Sequence, residues 1–285
     1  MTRIAVLQMT SGIDPADNAV TITAAVNRAA GEGAAMMFTP EMSGLIDRDR
    51  ARAAARVVAE DQDRVLAVTR DAAARGGIWV AVGSLAVVRT DGRFANRAFV
   101  IDPAGNIAGR YDKLHMFDVD LATGESWRES NAYTPGAALG VVDNTPVGRL
   151  GLAICYDIRF PALFEALGRR GCDTIAIPAA FTVPTGRDHW HLLQRARAVE
   201  ASAFVVSAAQ VGRHEDGRET YGHSLVIDPW GTVLLDMGGG DAGGAGTGGA
   251  GTGGAGLGFA EVDLRRIDDV RSQLPSLANR RAIPD

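Results

Sequence analysis

The sequence predicts an α/β protein with mixed β-sheets. Short apolar runs with strand character alternate with amphipathic helical segments over most of the 285 residues, which is typical of this class. Two pairs of apolar runs flank the turn signals Pro103-Ala104-Gly105 and Pro229-Trp230-Gly231, so we expect antiparallel hairpins beside parallel strands. No shift in composition divides the chain, and we therefore expect a single domain over residues 1–285.

Local signals set the bounds of the predicted elements. Asp14 is a candidate N-cap with Pro15 at the first helical position, Gly76-Gly77 ends a second helix, and Pro161 begins a third. The predicted helices are 15 to about 30, 60–75, 161–170 and 188–202. The predicted strands are 4–9, 34–38, 78–88, 93–102, 106–113, 149–154, 173–178, 203–209, 224–228, 232–235 and 257–262.

The overall composition excludes several classes of protein. A net charge of −5 without a basic run argues against a nucleic-acid or anionic-membrane partner. No apolar run reaches the roughly 18 residues that a membrane-spanning helix needs, and the N-terminus does not have the pattern of a signal peptide. The two cysteines, Cys155 and Cys172, exclude a disulfide framework. We therefore expect a cytoplasmic protein.

One segment has low complexity. Residues 238–258 consist mainly of glycine, with alanine and threonine in GGAGT-like repeats. Because they offer few apolar side chains for packing, we expect a flexible loop between two strands. An insertion without function is the simplest interpretation, since surface loops lengthen at a small entropic cost.

Most sequence signatures of enzymes are missing. No metal motif, phosphate-binding loop or serine-hydrolase elbow is present. His189 and His191 lie two residues apart, and on a helix they would face different directions. We expect these two histidines to be polar helix-start residues or substrate contacts, and we predict neither a metal nor a cofactor.

Cys155 is the candidate nucleophile. It directly follows the apolar run 150–154, and ligands of α/β sheets gather at the carboxyl ends of strands. The alternative is a small buried hydrophobic residue, which is the expectation for Cys172.

Two charged residues share this placement at a strand end. Glu41 follows the strand 34–38, and Lys113 ends the strand 106–113. Lys113 is also the only lysine among 29 basic residues, which suggests that arginine is not accepted there. A glutamate can serve as the base for a cysteine if burial raises its pKa, and an ammonium can stabilise an oxyanion. Solvated surface charges remain the alternative for each residue alone.

Three blocks around these residues resemble the nitrilase, or carbon–nitrogen hydrolase, superfamily. They are FTPE with Glu41, GRYDKLHMFDVD with Lys113 and GLAICYDIRFP with Cys155, in the order and at the spacing of the family. The blocks ESNAYTPG, TGRDHWHLLQRARAVE and YGHSLVIDPWG are similar to those of the Nit-type amidase branch. The resemblance covers nearly the whole chain and implies a four-layer α-β-β-α sandwich.

The resemblance also implies a site and a reaction. Glu41, Lys113 and Cys155 would form a catalytic triad that hydrolyses a small linear amide through a thioester, without a cofactor. Glu129 matches a further family glutamate, and the backbone N–H of Tyr156 would help Lys113 to hold the oxyanion. Deaminated glutathione or an ω-amide of a dicarboxylic acid is the expected substrate. Nitrile hydrolysis, N-carbamoyl hydrolysis and a non-catalytic scaffold are the alternatives.

A substrate with a distal carboxylate needs a cationic partner. Arg159, four residues after Cys155, is the best-placed candidate because arginine binds carboxylates with two parallel hydrogen bonds. A structural ion pair is its alternative role. Arg187 and His189 are further candidates on a loop expected beside the site. The resemblance also implies a homodimer or a higher homo-oligomer.

Overall fold

Six helices and sixteen strands are present in a computed structural model that describes residues 1–120, 124, 126–240 and 254–281. The helices are α1 (Pro15–Gly31), α2 (Arg50–Ala54), α3 (Arg64–Gly76), α4 (Pro161–Arg169), α5 (Val183–Ala201) and α6 (Arg265–Gln273). The strands are β1 (Thr2–Gln8), β2 (Met36–Phe38), β3 (Trp79–Val88), β4 (Phe94–Ile101), β5 (Ile107–Asp112), β6 (Asp118–Asp120), β7 (Ser126–Arg128), β8 (Gly140–Thr145), β9 (Gly148–Leu152), β10 (Thr174–Ala176), β11 (Phe204–Ser207), β12 (Val211–Arg213), β13 (Glu219–Tyr221), β14 (Leu225–Ile227), β15 (Val233–Asp236) and β16 (Gly256–Val262).

Two six-stranded sheets carry the fold. The first has the order β16-β1-β2-β3-β4-β5, and the second has the order β15-β14-β11-β10-β9-β8. Parallel pairing joins β1, β2 and β3 in one sheet and β9, β10 and β11 in the other, while the flanking strands pair antiparallel. The predicted α/β class with mixed sheets and both predicted hairpins are therefore confirmed.

The sheets pack face to face between two helix layers. Along β1, Ile4 and Val6 enter a core that also holds Leu150 and Leu152 of the second sheet, whereas Ala5 and Leu7 face the opposite side. This alternation follows from the two-residue period of a strand. α1 and α3 cover the outer face of the first sheet, and α4 and α5 cover the second sheet, which gives the layer order α-β-β-α.

Several predicted bounds were wrong. The helix predicted over 60–75 begins at Arg64, because the carboxylate of Asp63 caps it by accepting a hydrogen bond from Leu66 N–H at 2.8 Å. α5 begins at Val183 rather than at residue 188, so Arg187 and His189 lie on a helix and not on a loop. Its Gly186 lies against the ring of Tyr221, where a Cβ would come within 2.3 Å of Cγ. Seven further elements were not predicted, namely α2, α6, β6, β7, β8, β12 and β13.

The C-terminal bound of the glycine-rich loop predicted over 238–258 was wrong. Residues 256–258 begin β16 and pair with β1, so they belong to the first sheet. Residues 241–253 lie outside the described residues, and the flexible loop remains a prediction there. Within the described ranges, none of the helices has both the length and the apolar character needed to cross a membrane.

Candidate active site

Glu41 lies just after β2 and is almost completely buried, with 5% of its surface exposed. Its Oε1 accepts hydrogen bonds from Lys113 Nζ at 2.9 Å and Asn96 Nδ2 at 3.0 Å. Its Oε2 accepts a hydrogen bond from the backbone N–H of Ala180 at 2.9 Å. The Nε2 of Gln210 donates to the Glu41 carbonyl oxygen at 3.0 Å. Both the side chain and the backbone of Glu41 are therefore held in one position.

Lys113 joins two carboxylates directly after β5. Its Nζ lies 2.9 Å from Glu41 Oε1 and 2.9 Å from Glu129 Oε2, and the side chain is 2% exposed. Asn96 donates to Glu129 Oε1 at 3.1 Å, and the backbone N–H of Phe117 donates to Glu129 Oε2 at 2.7 Å. The two carboxylates compensate the buried ammonium, as a buried charge requires.

Cys155 begins a short 3₁₀ helix (Cys155–Arg159) after β9 and is 8% exposed. Its backbone has a positive φ of 47°, which costs a non-glycine residue about 1–3 kcal/mol. Its N–H donates to the Pro178 carbonyl at 2.8 Å. Asp157 supports the turn because its Oδ2 accepts from Ile154 N–H at 2.9 Å and from the Tyr111 hydroxyl at 2.7 Å. These contacts hold the turn in its strained conformation.

The protonation states of Glu41 and Cys155 suit a transfer of the thiol proton to the carboxylate. Burial raises the pKa of Glu41, but the Lys113 charge and several hydrogen bonds, one of them from the Cys155 thiol, bring it below its ordinary value of 4.5. The raised pKa that the sequence analysis named as a condition for a glutamate base is therefore not found at Glu41. Burial and the Glu41 charge raise the pKa of Cys155 well above its ordinary value. Before reaction, Glu41 is a carboxylate and Cys155 is a thiol.

The three side chains meet in a cavity of about 430 Å³. Glu129, Tyr156 and Arg159 line it as well. The guanidinium of Arg159 stacks over the ring of Phe181 at 5.4 Å. The aromatic part of the lining is Phe94, Phe117, Trp127, Tyr133, Tyr156 and Phe181. A cavity of this size and lining suits a small organic ligand.

Arg187 and His189 do not belong to the residues that line this cavity. Both are exposed on α5. The Nδ1 of His189 lies 3.4 Å from Nη1 and Nη2 of Arg159, so His189 is placed to influence the cavity through that side chain. That Arg187 and His189 contact the substrate directly remains a prediction, because neither residue lines this cavity.

The sequence analysis missed several groups of the site. Asn96 lies on the buried strand β4, where asparagine is unusual, and this polar residue in an apolar run was a usable signal. Asp157 lies two residues after Cys155, and its role in holding the turn was not predicted. The N–H of Ala180 has no side-chain signal because any residue but proline supplies it. Arg218 reaches the cavity from the segment before β13, and its sequence context resembles an ordinary surface turn.

One further cluster offers possible metal ligands. The ligand atoms of His191, His223 and Asp236 lie within 4.8 Å of one another. Asp236 already accepts two hydrogen bonds of 2.9 Å, one from each histidine ring. These bonds satisfy the carboxylate, and the three residues lie outside the lining of the cavity that holds Cys155.

The fold and the site together define the class of protein: an α-β-β-α sandwich enzyme with a buried cysteine at the carboxyl end of a central strand. The sequence matches the family model described as "Carbon-nitrogen hydrolase" over residues 3–272. The chain therefore belongs to the carbon–nitrogen hydrolase family.

Named relatives support this assignment. The chain is 39% identical over 234 residues to a deaminated glutathione amidase of Yersinia enterocolitica, covering 81% of each chain. It superimposes on the NitFhit protein of C. elegans with a TM-score of 0.85 and 34% identity, over 98% of this chain and 65% of that one. An amidase of Nesterenkonia sp. AN1, in which acrylamide has added to the active-site cysteine, gives a TM-score of 0.76 with 26% identity, over 96% and 98% of the two chains.

Proposed function

We propose that Cys155, Glu41 and Lys113 hydrolyse the amide bond of a small carboxylate-bearing substrate. The observation that carries this proposal is the ion-pair chain in which Lys113 Nζ lies 2.9 Å from both Glu41 and Glu129 beside the Cys155 thiol. A base, a nucleophile and a cation at one cavity are the groups that acyl transfer from nitrogen requires.

The reaction begins when Glu41 takes the thiol proton as Cys155 Sγ attacks the amide carbon. Lys113 and the backbone N–H of Tyr156 stabilise the tetrahedral oxyanion. Protonated Glu41 then gives its proton to the leaving nitrogen, the C–N bond breaks, and a thioester remains on Cys155. Glu41 then takes a proton from a water molecule whose oxygen attacks the thioester carbon. The C–S bond breaks, the carboxylic acid product is released, and Glu41 returns the proton to the Cys155 sulfur. Each proton transfer contributes about 10²–10⁴-fold to the rate.

Glu129 and Asn96 act by positioning the other groups. Glu129 binds Lys113 and the Phe117 N–H, and Asn96 donates to both glutamates. Lys113 is therefore held near Cys155 by groups that do not themselves react. Electrostatic stabilisation of an oxyanion depends on such preorganisation.

The substrate class follows from the relatives and the cavity. The Yersinia relative is named a deaminated glutathione amidase. The substrate in this name, deaminated glutathione, carries a carboxylate at each end. Arg159 lines the cavity four residues after the nucleophile, which supports its role as the partner of the carboxylate on the acyl half. We infer deaminated glutathione or a related ω-amide as substrate.

A second copy of the chain is the expected partner. Leu192 and Val199 lie seven residues apart on one face of α5 and are 66% and 41% exposed, which is unusual for large apolar side chains. This face supports a homodimer or larger homo-oligomer through the α5 layer. Light scattering after gel filtration tests it, and a monomer at micromolar concentration would contradict it.

The decisive experiment compares substrates and two cysteine variants. Purified protein is tested for ammonia or amine release from deaminated glutathione, glutaramate, a ureido acid and a nitrile. We expect hydrolysis of amides only, and its complete loss in Cys155→Ala. Cys172→Ala is the matched control, since Cys172 is a fully buried thiol outside the cavity lining. Turnover by Cys155→Ala, or a preference for the ureido acid or nitrile, would refute the proposal.

A further inference from the structure

A second group of cations lines the cavity at some distance in sequence from the nucleophile. The guanidinium of Arg218 lies 4.7 Å from the ring centroid of Trp127, and the guanidinium of Arg48 lies 5.3 Å from the same centroid. Arg48 precedes α2, Trp127 belongs to β7 and Arg218 precedes β13. We call these three residues the arginine wall. All three line the cavity that contains Cys155.

Among the residues that the structure describes, two hydrogen-bond donors of the arginine wall are buried without an acceptor. They are Nε of Arg218 and Nε1 of Trp127. A buried donor without a partner costs about 1–3 kcal/mol, so native proteins rarely keep one without a reason. Two such donors on stacked side chains indicate that a ligand supplies the hydrogen-bond acceptor at this place.

The charges around Arg218 are only partly compensated. Asp216 Oδ2 lies 3.5 Å from Arg218 Nη2, and this oxygen makes no hydrogen bond within the described part of the chain. Burial lowers the pKa of Arg218, the Asp216 charge raises it, and the Arg48 charge lowers it further. An arginine nevertheless stays charged in proteins. The arginine wall is thus a partly buried cationic surface that a ligand anion would stabilise.

Arginine is well suited to such a ligand. Its planar fork binds a carboxylate with two parallel hydrogen bonds, and it stacks on aromatic rings that fix its orientation. Trp127 lies against both guanidinium groups and restricts their motion. The stack therefore presents oriented donors to the cavity rather than two mobile surface charges.

We propose that the arginine wall binds a carboxylate on the leaving-group half of the substrate, separate from the carboxylate that Arg159 receives. This inference rests on the proposed amidase function and deepens it. Arg159 belongs to the turn of the nucleophile, whereas the arginine wall comes from three other segments. A substrate with an anion at each end would be held at both ends, with its amide at Cys155.

The test compares two substrates that differ in the leaving group. Glutaramate carries one carboxylate and releases ammonia, whereas deaminated glutathione carries a second carboxylate on the released amine. Arg48→Ala and Arg218→Lys should lower kcat/KM for deaminated glutathione about ten- to a hundredfold more than for glutaramate. The loss should appear in KM, with kcat changed less than threefold.

Two controls separate a binding role from a structural one. Arg3→Ala removes a guanidinium that stacks on Phe259 at 4.7 Å outside the cavity lining, and it should leave the ratio of the two kcat/KM values unchanged. Arg48 is exposed, so its truncation does not threaten folding, and Arg218→Lys keeps a charge beside Asp216. Calorimetric binding of deaminated glutathione to Cys155→Ala proteins tests the same contacts without turnover.

The outcomes are distinct. The double variants combine Cys155→Ala with Arg48→Ala or with Arg218→Lys. The inference is supported if their Kd for deaminated glutathione is at least tenfold higher than that of Cys155→Ala alone, and if kcat/KM changes in the substrate-dependent way described above. An equal loss on both substrates, or no loss with deaminated glutathione, overturns it. If the unmodified protein hydrolyses neither amide, the proposed function fails, and the calorimetric comparison still decides whether the arginine wall binds the anion.

Discussion

The two ends of the cavity satisfy their charges in different ways. At the end with Cys155, which we propose as the catalytic end, Lys113 is enclosed by the carboxylates of Glu41 and Glu129 at 2.9 Å each. At the arginine wall, Arg218 has Asp216 at 3.5 Å, and its buried Nε has no hydrogen-bond partner in the described ranges of the chain. The groups that we propose to react are therefore enclosed in a network of ion pairs, whereas the donors that we propose for ligand binding lack a partner among the described residues.

This difference predicts which variants damage stability as well as activity. Removing one partner of a buried ion pair leaves an uncompensated charge and costs about 3–5 kcal/mol. Lys113 and Glu41 are both buried, so truncating either should lower the melting temperature. Exposed Arg48 has no such network among the residues that are described, and its loss should affect binding alone. Variants that conserve charge are therefore the better tests at the catalytic end.

The largest effect after loss of the nucleophile is expected for Lys113→Arg. The wide guanidinium would pair bidentately with Glu41 or Glu129 and displace the donor from the oxyanion. Losing one oxyanion donor lowers kcat by about 10²–10³. The measurement is kcat on the best substrate, with circular dichroism to verify folding.

The control for Lys113→Arg is a conservative change elsewhere in the charged surface. Arg110→Lys alters a partly exposed residue whose guanidinium binds Glu60 at 2.6 Å outside the cavity lining, and activity should not change. A folded Lys113→Arg protein within about tenfold of the parent kcat would contradict both the role of Lys113 and the argument from its being the only lysine.

Arg159→Ala should give the next largest effect, and in KM rather than kcat. Losing a charge-assisted bidentate contact costs about 1.5–3 kcal/mol, or roughly ten- to a hundredfold in KM for glutaramate. The neutral amide butyramide should be almost unaffected. Equal losses with both substrates would mean that Arg159 is structural, and that the acyl-side carboxylate binds elsewhere.

The sequence predicted the catalytic end better than the arginine wall, for a physical reason. Glu41, Lys113 and Cys155 each follow an apolar strand, so local patterns locate them and the sheets bring them together. Trp127 lies on β7 and Arg218 in the turn between β12 and β13, and the position of these short two-stranded sheets depends on tertiary contacts. The early start of α5 was missed because Gly186 lowers helix propensity, yet Tyr221 leaves no room there for a side chain. The local sequence around residue 186 cannot report the contact between Gly186 and Tyr221, because the two residues are distant in the chain.

A smaller effect is expected for Asn96→Ala, which removes hydrogen bonds of 3.0 Å to Glu41 and 3.1 Å to Glu129. A hydrogen bond donated to a carboxylate lowers its pKa, so the Glu41 pKa should rise when the donor is lost. We expect kcat to fall about tenfold and the acid limb of the pH profile to move upward. Asn96→Asp would add a third carboxylate beside Lys113 and move the limb further. A lower kcat with an unshifted limb would show that Asn96 is merely structural.

The smallest change is predicted for the parent protein itself when the pH is varied. Glu41 must be ionised to take the thiol proton, and its pKa lies below 4.5, so activity should be retained until the pH falls through that lower value. The pKa of Cys155 lies well above 9.0 and that of Lys113 well above 10.5, so both keep their protons as the pH rises. kcat/KM for butyramide, which does not titrate, should therefore stay within about twofold between pH 5.5 and 8.5. An acid limb near pH 6–7 would mean that burial of Glu41 outweighs its contact with Lys113. It would also mean that the closed network, which distinguishes the catalytic end from the arginine wall, does not hold the base in its ionised form.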